Sequence, residues 1–289
     1  MQAELVLDAR AELGEGALWD PRTDRLLWVD ITKSEGHEFD PRSGRDTAID
    51  VGAHVGTVAP RARGGLVVAL VDGFAAVDGS GRVTMLAEVE ADRAENRMND
   101  GKCDSAGRLW AGTMTYGAKP SGGSLYRLDA DLTVHKMLEG VSISNGIGWS
   151  LDDRLMYYID SLAHGLDVFD FNPRTGEIAG RRRLVDVPEE QGVPDGMTVD
   201  AQGYLWVAIY GAGRVQRYSP GGELDLIVEV PQASKVTSCA FGGPGLQELY
   251  ITTARERLTD ELGREQIRGG GLFKASAGVA GLPSRAFAG

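Results

Sequence analysis

Four oxygen-bearing side chains recur at matching places along this sequence: Glu15, Asn99, Asn145 and Asp195. Asn99 opens Asn-Asp-Gly, Asn145 opens Asn-Gly, Asp195 opens Asp-Gly, and Glu15 lies within Gly14-Glu15-Gly16. The first three stand ten residues before Leu109, Leu155 and Leu205, each of which begins an apolar run. Glu15 stands two residues before the equivalent position, Ala17, in the run anchored at Leu27. Two carboxylates and two carboxamides are a hard-oxygen set. Such a set suits Ca²⁺, Mg²⁺ or Mn²⁺, and Zn²⁺ when water completes the shell. Without a cation, converging carboxylates repel and one is driven toward protonation. Asn-Gly and Asp-Gly are also ordinary turn pairs. That explains any one of these positions alone, but not four in register.

The elements that could gather residues some 50 positions apart are sequence repeats. A short apolar strand, a polar turn and a Leu-aromatic-apolar strand recur six times, anchored at Leu27, Leu66, Leu109, Leu155, Leu205 and Leu249. The anchors are 39 to 50 residues apart, a period that suits propeller blades of about four strands. The turns DPRTDR, SAGR, LDDR and AQGY carry hairpin chemistry. Third strands follow at 124–129, 166–171, 214–219 and 271–276, alternating apolar and polar residues. The expected fold is an all-β six-bladed β-propeller over residues 1–289, one domain, with a metal site at the mouth of the central channel. The N-terminal segment ELVLDA precedes the first repeat and is expected to complete the last blade, closing the ring. A β-sandwich or two small β domains is the competing architecture. In a propeller, repeat-aligned residues lie on a ring, so the four oxygen-bearing side chains meet at one mouth.

Composition narrows the class. Glycine numbers 40 of 289, about twice the usual ~7% share, which favours many tight turns. A net charge of −12 argues against a nucleic-acid surface. No apolar run of 18 residues exists, so no membrane span is expected. Cys103 and Cys239 are too few for a disulfide framework and are read as free core thiols. With an acidic N-terminus unlike a signal peptide, they point to a cytoplasmic protein. His37, His54, His135 and His164 share no ligand spacing and are read as surface or turn residues. Gly140-Val141-Ser142-Ile143-Ser144 lacks the last glycine of a nucleophile elbow. Gly211-Ala212-Gly213 opens no helix, as a dinucleotide loop must. Arg181-Arg182-Arg183 reads as a solvated strand edge.

Several segments resemble the SMP-30/gluconolactonase/regucalcin family. They are Leu13-Gly14-Glu15-Gly16, Arg97-Met98-Asn99-Asp100-Gly101-Lys102, Ser144-Asn145-Gly146 and Pro194-Asp195-Gly196-Met197. Trp149-Ser150-Leu151-Asp152, Tyr158-Ile159-Asp160-Ser161 and Cys239-Ala240-Phe241-Gly242-Gly243 are similar to it as well, in order along nearly the whole chain. The resemblance implies a lactonase that opens sugar aldonolactones with one divalent cation. It implies Glu15, Asn145 and Asp195 as metal ligands, Asp195 also as general base, and Arg97 and Asn99 as binders of the sugar lactone. Lys235 and Thr237 are weaker pocket candidates. Animal members carry an acidic pair after Gly-Thr-Met that contributes to the substrate pocket. Here Gly112-Thr113-Met114 is followed by Thr115-Tyr116-Gly117, so that carboxylate is missing. Another ester or phosphotriester hydrolase on the same scaffold, and a non-catalytic metal-binding propeller, are the alternative functions.

Overall fold

The structure is a computed structural model that describes residues 1–256 and 266–289. Among the described residues, 24 strands form six four-stranded antiparallel sheets, the blades of a β-propeller. The innermost strands, Gly14–Asp20, Val55–Pro60, Asn96–Cys103, Ser144–Trp149, Val193–Val199 and Val236–Gly242, line the central channel. Each anchor leucine falls on the second strand of its blade. Leu27, Leu109, Leu205 and Leu249 are at most 1% exposed, and burying each contributes about 1.5–3 kcal/mol. The sandwich alternative is thereby excluded.

The N-terminal strand Glu4–Leu7 is the outer strand of the sixth blade, pairing Leu5 with Phe273. This is the closure expected from ELVLDA. One element had no sequence signal. After the last strand, Leu272–Ser276, the chain crosses the channel face opposite the inner-strand starts. It bridges Gly281 to Asp200 and Phe287 to Arg61, and Phe287 is fully buried.

Every inner strand carries a register irregularity near its start: after Glu15, Val55, Met98, Ser144, Pro194 and Val236. A bulge leaves residues unpaired and re-aims their side chains. Crowding at the axis is severe. A Cβ on Gly56 would lie 2.2 Å from the Asn99 carbonyl oxygen, and one on Gly146 would lie 2.7 Å from that of Asp195. Only glycine lets neighbouring inner strands approach this closely.

Two expectations, on His37 and Thr237, need correction. His37 is buried, stacked on Trp28 at 3.8 Å between ring centres, with Nδ1 2.7 Å from Asp46, because its strand turns it into the blade. Arg181-Arg182-Arg183 lies exposed on an outer strand, Glu177–Asp186, as expected, and is ion-paired there, Arg181 and Arg183 with Asp167 and Arg182 with Asp170. Thr237 is fully buried and donates to the Gly14 carbonyl at 2.5 Å, joining the sixth blade to the first. It is no pocket residue.

Candidate functional site

Glu15, Asn99, Asn145 and Asp195 each lie five residues before the residue that opens the first hairpin of their blade: Asp20, Asp104, Ser150 and Asp200. They are therefore fully aligned. The two-residue offset of Glu15, measured from the anchor leucine, arises because the first blade's hairpin turn is two residues longer. All four sit at the bulges, so the irregular register delivers them to the channel mouth.

The approach to the mouth is fixed by two buried or nearly buried aspartates. Asp30 accepts the backbone N–H groups of Glu12 and Leu13, and Asp160 those of Ser142 and Ile143. Each clamps the loop that enters the inner strand carrying Glu15 or Asn145.

At the mouth Glu15, Arg97, Asn99, Asn145 and Asp195 are between 4% and 8% exposed. Arg97 Nη1 donates to Asn99 Oδ1 at 2.6 Å and to the Met98 carbonyl at 3.0 Å. Its Nε and Nη2 make no hydrogen bond with any described residue. Asn99 Nδ2 donates to the Ser144 carbonyl at 2.8 Å and to Asn145 Oδ1 at 3.3 Å. Asn145 Nδ2 donates to Ser161 Oγ at 2.9 Å, and Ser161 donates to the Pro194 carbonyl at 2.8 Å. One chain of bonds thus runs from Arg97 through both asparagines to the strand holding Asp195.

The carboxylates take no part in this chain, and among the described residues Glu15 Oε2 accepts only the Gly16 N–H, at 3.1 Å. Asp195 Oδ1 is buried with no hydrogen-bond partner, a costly state for a charged oxygen. Burial, then the charge of Asp100, pushes Glu15 up to about 8. Burial, then Glu15 and Asp100, pushes Asp195 well above the carboxylate range. Arg97 is lowered by burial and partly restored by Glu15. Buried carboxylates raised by one another are the condition a divalent cation relieves. The residues therefore fit such an ion, with Glu15, Asn145 and Asp195 as candidate donors. Among the described residues no three His, Cys, Asp or Glu side chains group closely enough to hold a metal unaided. The fit depends on the carboxamide of Asn145.

Sequence reasoning missed several neighbours. Asp100 and Ser161 lie inside the quoted motifs, but their roles depend on which way a bulged strand turns and on contact across blades. Glu256 acts electrostatically on Glu15, Arg97 and Asp195, and accepts a bond from the Tyr210 hydroxyl at 3.2 Å. Lys235 binds the Glu256 carbonyl and lies 5.5 Å from the centre of the Tyr210 ring. Tyr116, 44% exposed, bonds His54 Nδ1 through its hydroxyl at 3.1 Å; Tyr116 acts on Arg97, and burial and then Arg97 lower His54. These residues come from loops of unequal length, which carry no repeat signal. Cys103 and Cys239 are free and buried, and burial holds Cys239 up at about 12. They are inert core thiols, as expected.

A six-bladed propeller with a buried hard-oxygen set at one channel mouth defines a class of protein. The SMP-30/Gluconolactonase/LRE-like region profile matches residues 13–255, and the chain belongs to this family. It is 42% identical to the regucalcin of Gallus gallus over 297 residues, covering 100% of this chain and 99% of the relative. It is 39% identical to the Bacillus subtilis (strain 168) protein named "Putative sugar lactone lactonase YvrE", again over 100% of this chain and 99% of the relative. The crystal structure of a calcium-binding protein, regucalcin, from Agrobacterium tumefaciens superposes with a TM-score of 0.95 at 31% identity, covering 99% of this chain and 97% of that one.

Proposed function

We propose that this chain is a divalent-cation-dependent hydrolase that opens sugar aldonolactones to aldonic acids at the acidic mouth. The observation that carries the proposal is the unpartnered, buried Oδ1 of Asp195 beside the free donors of Arg97. The family's description and the name of the Bacillus relative support it.

Glu15, Asn145 and Asp195 would hold the cation, which would supply Lewis acidity to the ester carbonyl. Asp195, ionised because a divalent charge at the set favours that form, takes a proton from the attacking water. The proton then passes to the leaving ring oxygen as the acyl C–O bond breaks. Arg97 and Asn99 hydrogen-bond the sugar hydroxyls and fix the ring. A covalent acyl-enzyme is not required. The two cysteines are held protonated, while Ser144 Oγ accepts from Tyr158 and Ser161 is bonded to Asn145 and Pro194.

The test is a pH-indicator assay over glucono-, galactono-, xylono- and arabinono-lactones, with and without added Ca²⁺, Mn²⁺, Mg²⁺ or Zn²⁺, after subtraction of spontaneous opening. Cation-dependent turnover that Asp195→Ala abolishes is expected. Tight cation binding with no turnover of any lactone would instead leave a binding protein. A kcat/KM higher for phosphotriesters than for every lactone would reassign the substrate.

A further inference from the structure

The inner strands have two ends, and the acidic mouth occupies only their starts. At the other end the channel opens into a cavity of about 160 Å³. Its walls are residues near the strand ends, Trp19, Trp149 and Phe241 among them, and tail residues 282–285 close one side. Ser284 Oγ fixes the tail by donating to the Trp19 carbonyl at 2.5 Å. From Glu15 to Trp19 is four residues of strand, roughly 13 Å. None of Glu15, Arg97, Asn99, Asn145 and Asp195 lines this cavity.

The lining combines two chemistries. Trp19, Trp149 and Phe241 are among the lining residues, and Leu151 and Leu282 at its edge are 54% and 39% exposed. Two cations face it against one carboxylate, Asp153, a local excess of positive charge in a chain whose net charge is −12. Lys102 spends one of its ammonium donors on the Met197 carbonyl at 2.6 Å. Arg285 is exposed and makes no hydrogen bond or ion pair with any described residue. Burial pushes the Lys102 ammonium below the ordinary lysine range, against the pull of Asp100, and an anion beside it acts in the same sense as Asp100.

We propose that this cavity is a second binding site, for a small monocarboxylate carrying one aromatic ring. An apolar cavity of about 150 Å³ accommodates one benzene ring. Trp19, Trp149, Phe241 and the exposed Leu151 and Leu282 are the apolar neighbours that such a ring meets. The carboxylate then meets the remaining donors of Lys102 and the planar fork of Arg285. The site uses no residue of the acidic mouth, so it stands or falls independently of the lactonase proposal.

Benzoate is the probe, titrated against the full chain by tryptophan fluorescence and calorimetry, first in chelator and then with Mn²⁺. A Kd of about 1 mM is expected, unchanged by Mn²⁺. Acetate, which lacks the ring, and benzyl alcohol, which lacks the charge, should bind roughly tenfold more weakly. Arg285→Ala and Leu151→Ala, both at exposed positions, should each weaken benzoate about fivefold and leave lactone hydrolysis unchanged. Lys102→Met should remove benzoate binding. If that variant fails to fold, Arg285→Ala decides. No binding at about 10 mM, equal binding of benzyl alcohol, indifference to Arg285→Ala, or loss of benzoate binding in Asp195→Ala would each overturn the proposal.

Discussion

At the residue scale, the mouth is a place where buried charge lacks protein partners, and pH exposes this. Glu15 rises from 4.5 to about 8, with burial the largest cause and Asp100 the second. The folded, cation-free chain keeps a proton there that the unfolded chain releases above pH 4.5. Stability from this group is therefore complete below pH 4.5 and is lost as pH rises toward 8. Asp195 shifts in the same direction, from burial, Glu15 and Asp100. In chelator, Tm should fall between pH 5 and pH 8, and Glu15→Gln should flatten that slope. A saturating divalent cation should raise Tm more at pH 8 than at pH 5, because it displaces these protons. A Tm in chelator that stays level across this range contradicts the account. Ser161→Ala offers a second check. It removes the hydroxyl that holds the Asn145 carboxamide, so cation affinity measured by calorimetry should fall about 10- to 100-fold. Arg97→Ala should chiefly raise KM for lactones, with kcat less affected. The alignment of Glu15, Asn99, Asn145 and Asp195 was legible in the sequence because each bulge carries a glycine beside its polar residue. Tyr116, His54 and Glu256 were not, because only tertiary packing brings their loops to the rim.

At the scale of elements, the bulged inner strand is the working part. Gly146→Ala places a Cβ 2.7 Å from both the Asp195 carbonyl oxygen and Met197 Cγ. Relief of that clash must shift the strand carrying Asp195. Lactone turnover should fall at least tenfold, while circular dichroism at room temperature remains that of the native fold. The loop clamps give a different signature. Asp160→Ala strands the N–H groups of Ser142 and Ile143, and urea unfolding should show a loss of about 3 kcal/mol. The strands themselves were readable from apolar alternation and turn residues. Their register irregularities were not, because a bulge depends on which residues a strand leaves unpaired, and no local composition specifies that. The apparent misalignment of Glu15 illustrates the point: a longer turn, not a different location, separated it from its counterparts.

At the scale of the whole molecule, six blades close on one another through Glu4–Leu7. We expect the chain to unfold as one domain in a single calorimetric transition, in keeping with a continuous ring of inter-blade packing. Deleting residues 1–7 should lower Tm and promote concentration-dependent self-association, since the edge of Leu272–Ser276 is then unpaired. An unchanged Tm and a monodisperse monomer would contradict the closure. The period of the anchor leucines made the blade number legible. The path of the tail beneath the ring was not, because residues 277–289 carry neither strand alternation nor a repeat.

The pairing of Leu5 with Phe273 joins residues 268 positions apart. On the ribosome, the second partner emerges 268 residues after the first. At about 5–20 residues per second, the wait is roughly 15–55 s. Throughout it the nascent chain holds an open arc of blades and an unclaimed apolar N-terminal strand. Ring closure therefore waits on Leu272–Ser276, which is made after every residue named at the acidic mouth.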